Sequence, residues 1–560
     1  MNPYAGKSPV TGHPWLEGMA SLACWLVLPA WSALAAGEPT AVPTFECIGL
    51  YWKAPGGAAD KTCEVRYRPA GTDAWHEAMP LWFDARSSEY RGSVVHLRPG
   101  TAYEVALALR GDPARAVLTV KTWSETFPVA ETVALPASSA ETLTVGRSGT
   151  ANGYILYAPP PGAATAAIDV GGERDQCVVV SGSYVILRRL VLKNARIHGI
   201  QLMDGVRDVV IEECDVSGWG RTADDGWGRN LDSAIFSRGR SVQRIIVQRN
   251  TIHHPRSNSN NWRESRPGPG KREPNHPAGP QAVAFFDSEG NHVLRYNSAF
   301  SDDMHQSNDL FGAGENFSTR GFPHRDSDIY GNLLSHCWDD AIESEGANCN
   351  VRIWGNYITD AYVAIACAST SVGPLYVWRN VSAVSRVAPG GSGGGFLKTS
   401  DRTGGGRIFV FHNTVLQPPG PPQAARATVG ADVGMGWGGP ISNVTSRNNI
   451  LHVNRRAIAD RARDPLGDYD YDLFSTSLDA AEGHQRHGLR GAPVYAAACG
   501  MKDGKGVFWL AAGSPGLDAG IRLPNFNDGY AGAAPDMGAH EAGSPPMEFG
   551  VQARRAVASH

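Results

Sequence analysis

The chain has 560 residues, a formal net charge of −4, 19% charged residues, 65 glycines and 37 prolines. That near-balance of charge leaves none of the strongly basic character that nucleic-acid binding requires, so no nucleic-acid partner is expected. The glycine and proline load favours turns and short strands over long helices, and the length leaves room for more than one domain.

In chain order, the first expected element is a leader. Leu22 to Leu34 is apolar, is interrupted by Pro29, and is too short to span a bilayer comfortably. Ala33-Leu34-Ala35 follows the small-x-small pattern of a signal cleavage site. Residues 1–35 are therefore read as a signal peptide. No later stretch is apolar enough to cross a membrane, so a secreted or periplasmic protein without stable membrane insertion is expected.

Residues 38–126 alternate apolar and polar positions in ECIGLYWKAP, TCEVRYRPAG, TAYEVALAL and ARAVLTVKTW, with Gly/Pro turns between them. This is the pattern of a small β-sandwich. Leu97-Arg98-Pro99-Gly100-Thr101-Ala102-Tyr103 resembles the tyrosine corner of fibronectin type III domains, and Trp52 is similar to their buried strand-B tryptophan. The resemblance implies a spacer or docking module. Eight cysteines remain after the leader, none in a CxxC pair, so no zinc site is expected; Cys47 and Cys63 are the candidate pair for a disulfide.

Beyond residue 130 a strand-like run ending in asparagine returns at Asn250, Asn297, Asn332, Asn356, Asn380, Asn413 and Asn449. The intervals run from 24 to 47 residues, with variable insertions and no helical period. Such a repeat is the mark of a solenoid, and asparagines at one turn of successive coils can stack as a hydrogen-bonded ladder. The opening stretch ETLTVGRSGTANGYILYAPPPG, the repeat-like YVILRRLVLKNARIHGIQL, and the closing GSPGLDAG and APDMGAHEAG resemble the pectate-lyase-like superfamily of right-handed parallel β-helices. The expected architecture is all-β, with the sandwich followed by a right-handed parallel β-helix over 130–543 and a disordered tail over 544–560. The fold alone names no activity, because it hosts lyases, hydrolases, epimerases, esterases and adhesins.

Two insertions interrupt the coils. The first, His253 to Pro280, carries His253, His254, Arg256, Trp262, Arg263, Arg266, Lys271, Arg272 and His276. The second, Gly312 to Arg325, carries Asn316, Arg320, His324 and Arg325. Loops that leave a solenoid build its binding face, and Trp with Arg suits sugar stacking and anion contact, so Trp262, Arg263 and Arg325 are candidate substrate contacts.

The ladder also gives a register for the strands between its rungs. Side chains at i and i+2 share a strand face. One column then reads Ser237, Asp287, Gln306, Glu343, Ala366 and Lys398; its neighbour reads Gly239, Glu289, Asn308, Glu345, Ala368 and Ser400. Asp287 and Glu289 thereby join the candidate substrate contacts. The pairs Asp302-Asp303 and Asp339-Asp340 precede their strands and enrich the same region in carboxylates. Clustered carboxylates repel, so they must be paired, protonated or metal-bound. An all-oxygen set of Asn308, Asp303, Asp339, Glu343 and Glu345 suits Ca2+.

Glu343-Ser344-Glu345 with Asn308 resembles the calcium set of chondroitinase-B and alginate-lyase-type β-helix lyases. In that family calcium neutralises a uronate carboxylate, a lysine takes the C5 proton and an arginine helps the leaving oxygen. Its lysine follows the second glutamate closely, whereas this chain has Gly346-Ala347-Asn348-Cys349-Asn350 there. Lys398, His305 and His336 are then the candidate bases, and Arg325, Arg352 and Arg379 the candidate positive partners. Trp338 to Glu343 (WDDAIE) also resembles a second calcium-dependent lyase group, whose Asp pair binds calcium and whose lysine lies further on. Two alternatives stay open. A glycoside hydrolase needs two carboxyl groups, supplied by Asp303 with Asp340 or by Asp340 with Glu343; the Gly-His-Gly and Arg-Ile-Lys signatures of polygalacturonases are absent. A non-catalytic glycan-binding or surface protein is the other. The leading expectation is a monomeric, secreted, calcium-assisted lyase acting on an anionic polysaccharide.

Overall fold

The computed structural model describes residues 37–264, 275–313, 320–368, 370–388, 393–399, 404–416 and 428–554. The expected leader and Arg266, Lys271, Arg272, Asn316 and Ser400 lie outside these residues. Among the described residues, no helix is long and apolar enough to cross a membrane.

Seven antiparallel strands between Thr40 and Lys121 form the N-terminal β-sandwich. The strand His76–Asp84 belongs to both of its layers, pairing with Cys63–Pro69 through its first half and with Glu89–Val94 through its last residues. Ala102–Leu109 alternates strictly between half-buried and buried positions, as period-two patterning demands of a strand with one face on a core. Trp52, Tyr90, Val105 and Leu107 fill that core. The Tyr103 hydroxyl accepts a hydrogen bond from the Arg98 N–H at 2.8 Å, tying the strand start to the turn before it. Cys47 and Cys63 are free thiols, contrary to the expected disulfide. Cys63 lies in the sandwich core, whereas Cys47 faces the packing between sandwich and solenoid, so the two belong to separate apolar clusters.

The remainder is a right-handed parallel β-helix. One sheet has twelve parallel strands, from Val129–Ala134 to Asp468–Tyr469. The other two run together where Leu333–Glu343 and Tyr357–Ala366 turn the corner as long unbroken strands. Inward positions such as Val283, Phe311, Ile342, Ile365 and Leu397 form one continuous core along the axis. The twelve-stranded sheet is apolar on its outer face too. There Tyr330, Trp354 and Trp378 stack with ring centroids 4.0 and 4.7 Å apart. The sandwich covers this face with Phe45 and Val95, and the C-terminal segment covers it with Leu523 and Phe526.

The asparagine ladder is continuous. Asn250 Nδ2 donates to Asn297 Oδ1 at 3.0 Å, and the pattern repeats through Asn332, Asn356, Asn380, Asn413 and Asn449 at 2.9–3.1 Å. It ends on Asp472 Oδ1 at 2.8 Å. Each of these oxygens also accepts the backbone N–H of the previous rung, and each amide donates its other hydrogen to a carbonyl, as Asn356 does to Ile329. Every rung is fully buried. The residue before each rung is left-handed, with φ of 52–65° at Arg249, Tyr296, Gly331, Gly355, Arg379, His412 and Asn448. Five of these seven are not glycine, so the ladder holds side chains in a backbone region they seldom adopt.

The C-terminal segment is a strap. Asn525 donates to Val95 O and accepts from Val95 N at 2.7 Å in the sandwich. Ala539 O accepts from Arg379 at 2.9 Å, and Arg249 donates to Ala553 O. Phe549 and Ala553 are buried, so the tail expected to be disordered from residue 544 is ordered through Arg554, held by apolar burial and by the Lys505–Glu548 and Arg554–Glu46 ion pairs.

Candidate functional site

A group of buried carboxylates lies where the coils bearing Asp309, Asp340 and Lys398 meet. The register pairs Glu343 with Ala366 and Ala366 with Lys398, which places Lys398 two coils beyond Glu343 as expected. Lys398 extends back along the face. Its Nζ stands 2.6 Å from Asp340 Oδ2 and 3.1 Å from Glu345 Oε1. The other expected rungs of that column differ. Ser237 pairs with Phe285, not Asp287, because the strand Gln281–Phe286 ends there and Asp287 turns left-handed at φ 53°. Phe311 pairs with Ile342, so Gly312, not Gln306, stands beside Glu343. The absence of a Cβ at Gly312 matters: one built there would lie 2.7 Å from Glu343 Oε2.

Asn308 reaches the site through a turn instead of a strand register. Its backbone N–H donates to Pro280 O and its carbonyl accepts from the Asp339 N–H, while Nδ2 donates to Asp309 Oδ2 at 2.6 Å. Asp309, not among the residues expected of the site, is central. Its Oδ2 also accepts from Gln281 Nε2 at 2.8 Å, and its Oδ1 accepts the Asp340 N–H at 3.1 Å. Oxygens of Asp309, Asp340 and Glu343 lie within 4.8 Å of one another. Glu343 Oε2 accepts from the Ala313 N–H at 3.2 Å, and Asp339 Oδ2 lies 3.5 Å from His276 Nε2.

Five carboxyl groups, Asp309, Asp339, Asp340, Glu343 and Glu345, thus surround one ammonium group, all buried. Burial pushes the Asp309, Asp340 and Glu345 carboxyls above the ordinary range. At Asp309 the charges of Glu343, Asp339 and Asp340 add to it, while Lys398 opposes it at Asp340 and Glu345. Burial alone would lower the Lys398 pKa, but the carboxylates around it outweigh burial and hold it as an ammonium. Donors are scarce in this group. Asn308 Oδ1, Gln281 Oε1, Asp340 Oδ1 and Glu345 Oε2 are buried acceptors with no hydrogen-bond donor. Unsatisfied buried acceptors are expensive, and here all are hard oxygens on side chains bonded to Asp309 or Lys398. That donor set suits a divalent cation of the calcium type, which takes six to eight oxygens.

Trp262 stands beside this group. Its ring is 4.6 Å from His276, 5.7 Å from Tyr362 and 5.8 Å from Trp437. The described part of the first insertion therefore brings its tryptophan to the acidic face. Arg263, next to it, is exposed.

Other expected site residues lie elsewhere. Asp303 is 81% exposed at its side chain and pairs with Arg386 at 3.1 Å, since a turn separates it from the buried group. His305 pairs with Asp302 at 2.9 Å on the surface beside His254. Arg352 is fully buried under the sandwich, on the twelve-stranded sheet, bound to Asp328 at 2.6 Å. Arg379 is the left-handed residue of a ladder turn and is held by Ala539 O. Glu289 pairs with Arg320 at 2.8 Å, and Glu289 and Arg325 line a 560 Å3 cavity between sandwich and solenoid, bounded also by Tyr51 and Asp326. His336 bonds Ser335 Oγ at 2.9 Å, half-buried near Arg386 and Asp360.

No protein-family model matches the chain, and no curated protein matches it. Among solved structures it is similar to a pectate lyase, Pel9A, at 13% identity over 74% of this chain and 86% of that one, with a TM-score of 0.37. It is also similar to the catalytic domain of a GH87 α-1,3-glucanase, at 12% identity over 79% of this chain and 78% of that one, with a TM-score of 0.27. The assignment of a parallel β-helix rests on the strand register itself.

Proposed function

We propose that this protein is a secreted polysaccharide lyase that binds calcium at Asp309, Asp340 and Glu343, with Asn308, Asp339 and Glu345 around them, and cleaves a uronate-containing chain by β-elimination. The observation that carries this reading is the buried group of acceptor oxygens without donors, set against Lys398 on the solenoid face. A bound dication would neutralise these carboxylates and offset the charge of the substrate's own carboxylate. With the carboxylates engaged, the burial of Lys398 favours its neutral amine, the form that accepts a proton. Lys398 Nζ then takes the C5 proton, the C4–O bond breaks, a C4–C5 double bond forms, and the departing oxygen takes a proton from water. Trp262 and Trp437 offer apolar faces on which sugar rings stack. The N-terminal sandwich, read as fibronectin type III-like, serves as a rigid cover for the opposite sheet.

Incubation with a panel of uronate polysaccharides, with calcium or with chelator, tests the reading. The expected result is ultraviolet absorbance from unsaturated uronate ends that appears with calcium and vanishes with chelator. New reducing ends without that absorbance would instead mean hydrolysis.

A further inference from the structure

A cleft of 490 Å3 opens one coil beyond Lys398, lined by Trp437, Gly438, Asp432, Arg455, Arg456 and Arg461 among others. It adjoins the acidic site through Trp437 and Gly438. Lys398 pairs in register with Trp437, and a Cβ on Gly438 would lie 3.4 Å from Lys398 Cγ. Gly436 and Gly438 are both left-handed, at φ 90° and 82°, and this backbone turns the Trp437 ring toward Trp262. Val433 pairs with Arg456 on the following coil, so the cleft runs along the solenoid axis, about 4.8 Å per coil.

The charge of the cleft is opposite to that of its neighbour. Three guanidinium groups face two carboxylates, Asp432 and Asp479. Arg456 is committed to Asp479 at 2.6 Å. Arg455 lies 3.7 Å from Asp432 and Arg461 3.7 Å from Asp479, too long for hydrogen bonds, with side chains 58% and 71% exposed. Their planar donor forks are open to solvent and make no hydrogen bond to these carboxylates, so they are free to take a carboxylate from outside.

We infer that this cleft is a binding subsite for the acidic sugars next to the one at Lys398, with Arg455 and Arg461 taking their carboxylates and Trp437 their ring faces. The inference rests on the lyase reading and adds to it. The substrate is a run of consecutive uronates lying along the solenoid axis, and an isolated uronate in a neutral chain binds weakly.

Calorimetric titration of the full chain, in calcium, with oligomers of galacturonate, of mannuronate and guluronate, and of glucuronate tests it. Methyl-esterified oligogalacturonate serves as the uncharged counterpart and dextran sulfate as a plain polyanion. The wild-type protein is expected to bind one uronate oligomer at least tenfold more tightly than the esterified chain or dextran sulfate. The Arg455→Gln/Arg461→Gln double variant is expected to lose at least tenfold of that affinity with an unchanged melting temperature, because both side chains are exposed. Lys398→Ala is expected to keep most of the binding and lose cleavage. If the double variant binds and cleaves the oligomer with unchanged affinity and KM, the subsite is overturned and the lyase reading stands. Dextran sulfate binding as tightly as the uronate overturns the subsite as well. If no uronate oligomer is bound or cleaved, the lyase reading fails and takes the subsite with it.

Discussion

Asn332 and Asp340 belong to one coil, yet they stand in opposite kinds of polar stack. In the ladder, Asn332 spends both amide hydrogens and its oxygen on partners that are themselves satisfied. In the acidic group, Asp340 has one oxygen on Lys398 and the other without a donor. Both stacks are buried and both repeat with the coils. The ladder is complete within the chain. The acidic group keeps surplus buried acceptors, and the proposed calcium would satisfy them.

The contrast can be broken at either end. Lys398→Ala should lower cleavage by about 10²- to 10⁴-fold, the usual contribution of a general base, with the calcium response of the melting temperature retained. Steady-state rates beside thermal melts check this. A rung should act the other way. Asn356→Ala takes the acceptor from the Asn332 N–H and Nδ2 and a donor from Ile329 O and Asn380 Oδ1, and should cost about 2–4 kcal/mol of stability, read by denaturant unfolding, with activity intact at low temperature.

Protonation sharpens the comparison. Folded-state carboxyl pKa values raised above the unfolded ones contribute stability below the ordinary carboxylate range, and that stability is lost as pH rises through the raised values. In chelator, the melting temperature should therefore fall as pH is raised from the ordinary carboxylate range of about 4 into the neutral range, and calcium should restore more at the upper end. Buried histidines act in the opposite sense. Burial lowers His198 and His324 to about 4, so stability falls as pH drops from about 6.5 toward 4. Equal calcium stabilisation at both ends of the range would exclude a metal role for this group. The smallest effect is expected from Glu345→Gln. Burial already holds this carboxyl toward its neutral form, which glutamine resembles in shape, so the calcium-free protein should change little in stability while its calcium-induced rise in melting temperature shrinks.

The ladder was legible because a fixed chemical demand recurs at a fixed place: each asparagine ends a strand and starts the next turn. The site was legible only in part. Glu343 and Lys398 both pair with Ala366 beyond the bulge, as counting from the ladder expects. The coil before them departs from that count. Ser307 pairs with Cys337 and Phe311 with Ile342, so one strand carries an extra residue, and the register shifts between Cys337 and Asp340. A bulge of this kind leaves no mark in apolar alternation. That one-residue shift is small beside the six residues between Gln306, expected next to Glu343, and Gly312, which stands there, and Asp309 was missed with the register of that coil, although its position next to Asn308 was the available signal. Arg352 and Arg379 were misplaced for another reason. Which face of a solenoid a second domain or a terminal strap will cover depends on docking, and coil periodicity carries no information about it.

The strap changes how such a chain should come apart. Solenoid coils touch only their neighbours, so an open stack can fray from either end in small steps. Here residues 525–553 join Val95, Arg249 and Arg379, from the sandwich and from coils well separated along the stack. That turns a linear array into a closed loop of contacts. The coils that carry Arg249 and Arg379 cannot separate without first releasing a fastening made elsewhere, and the stretch between them should melt as one event.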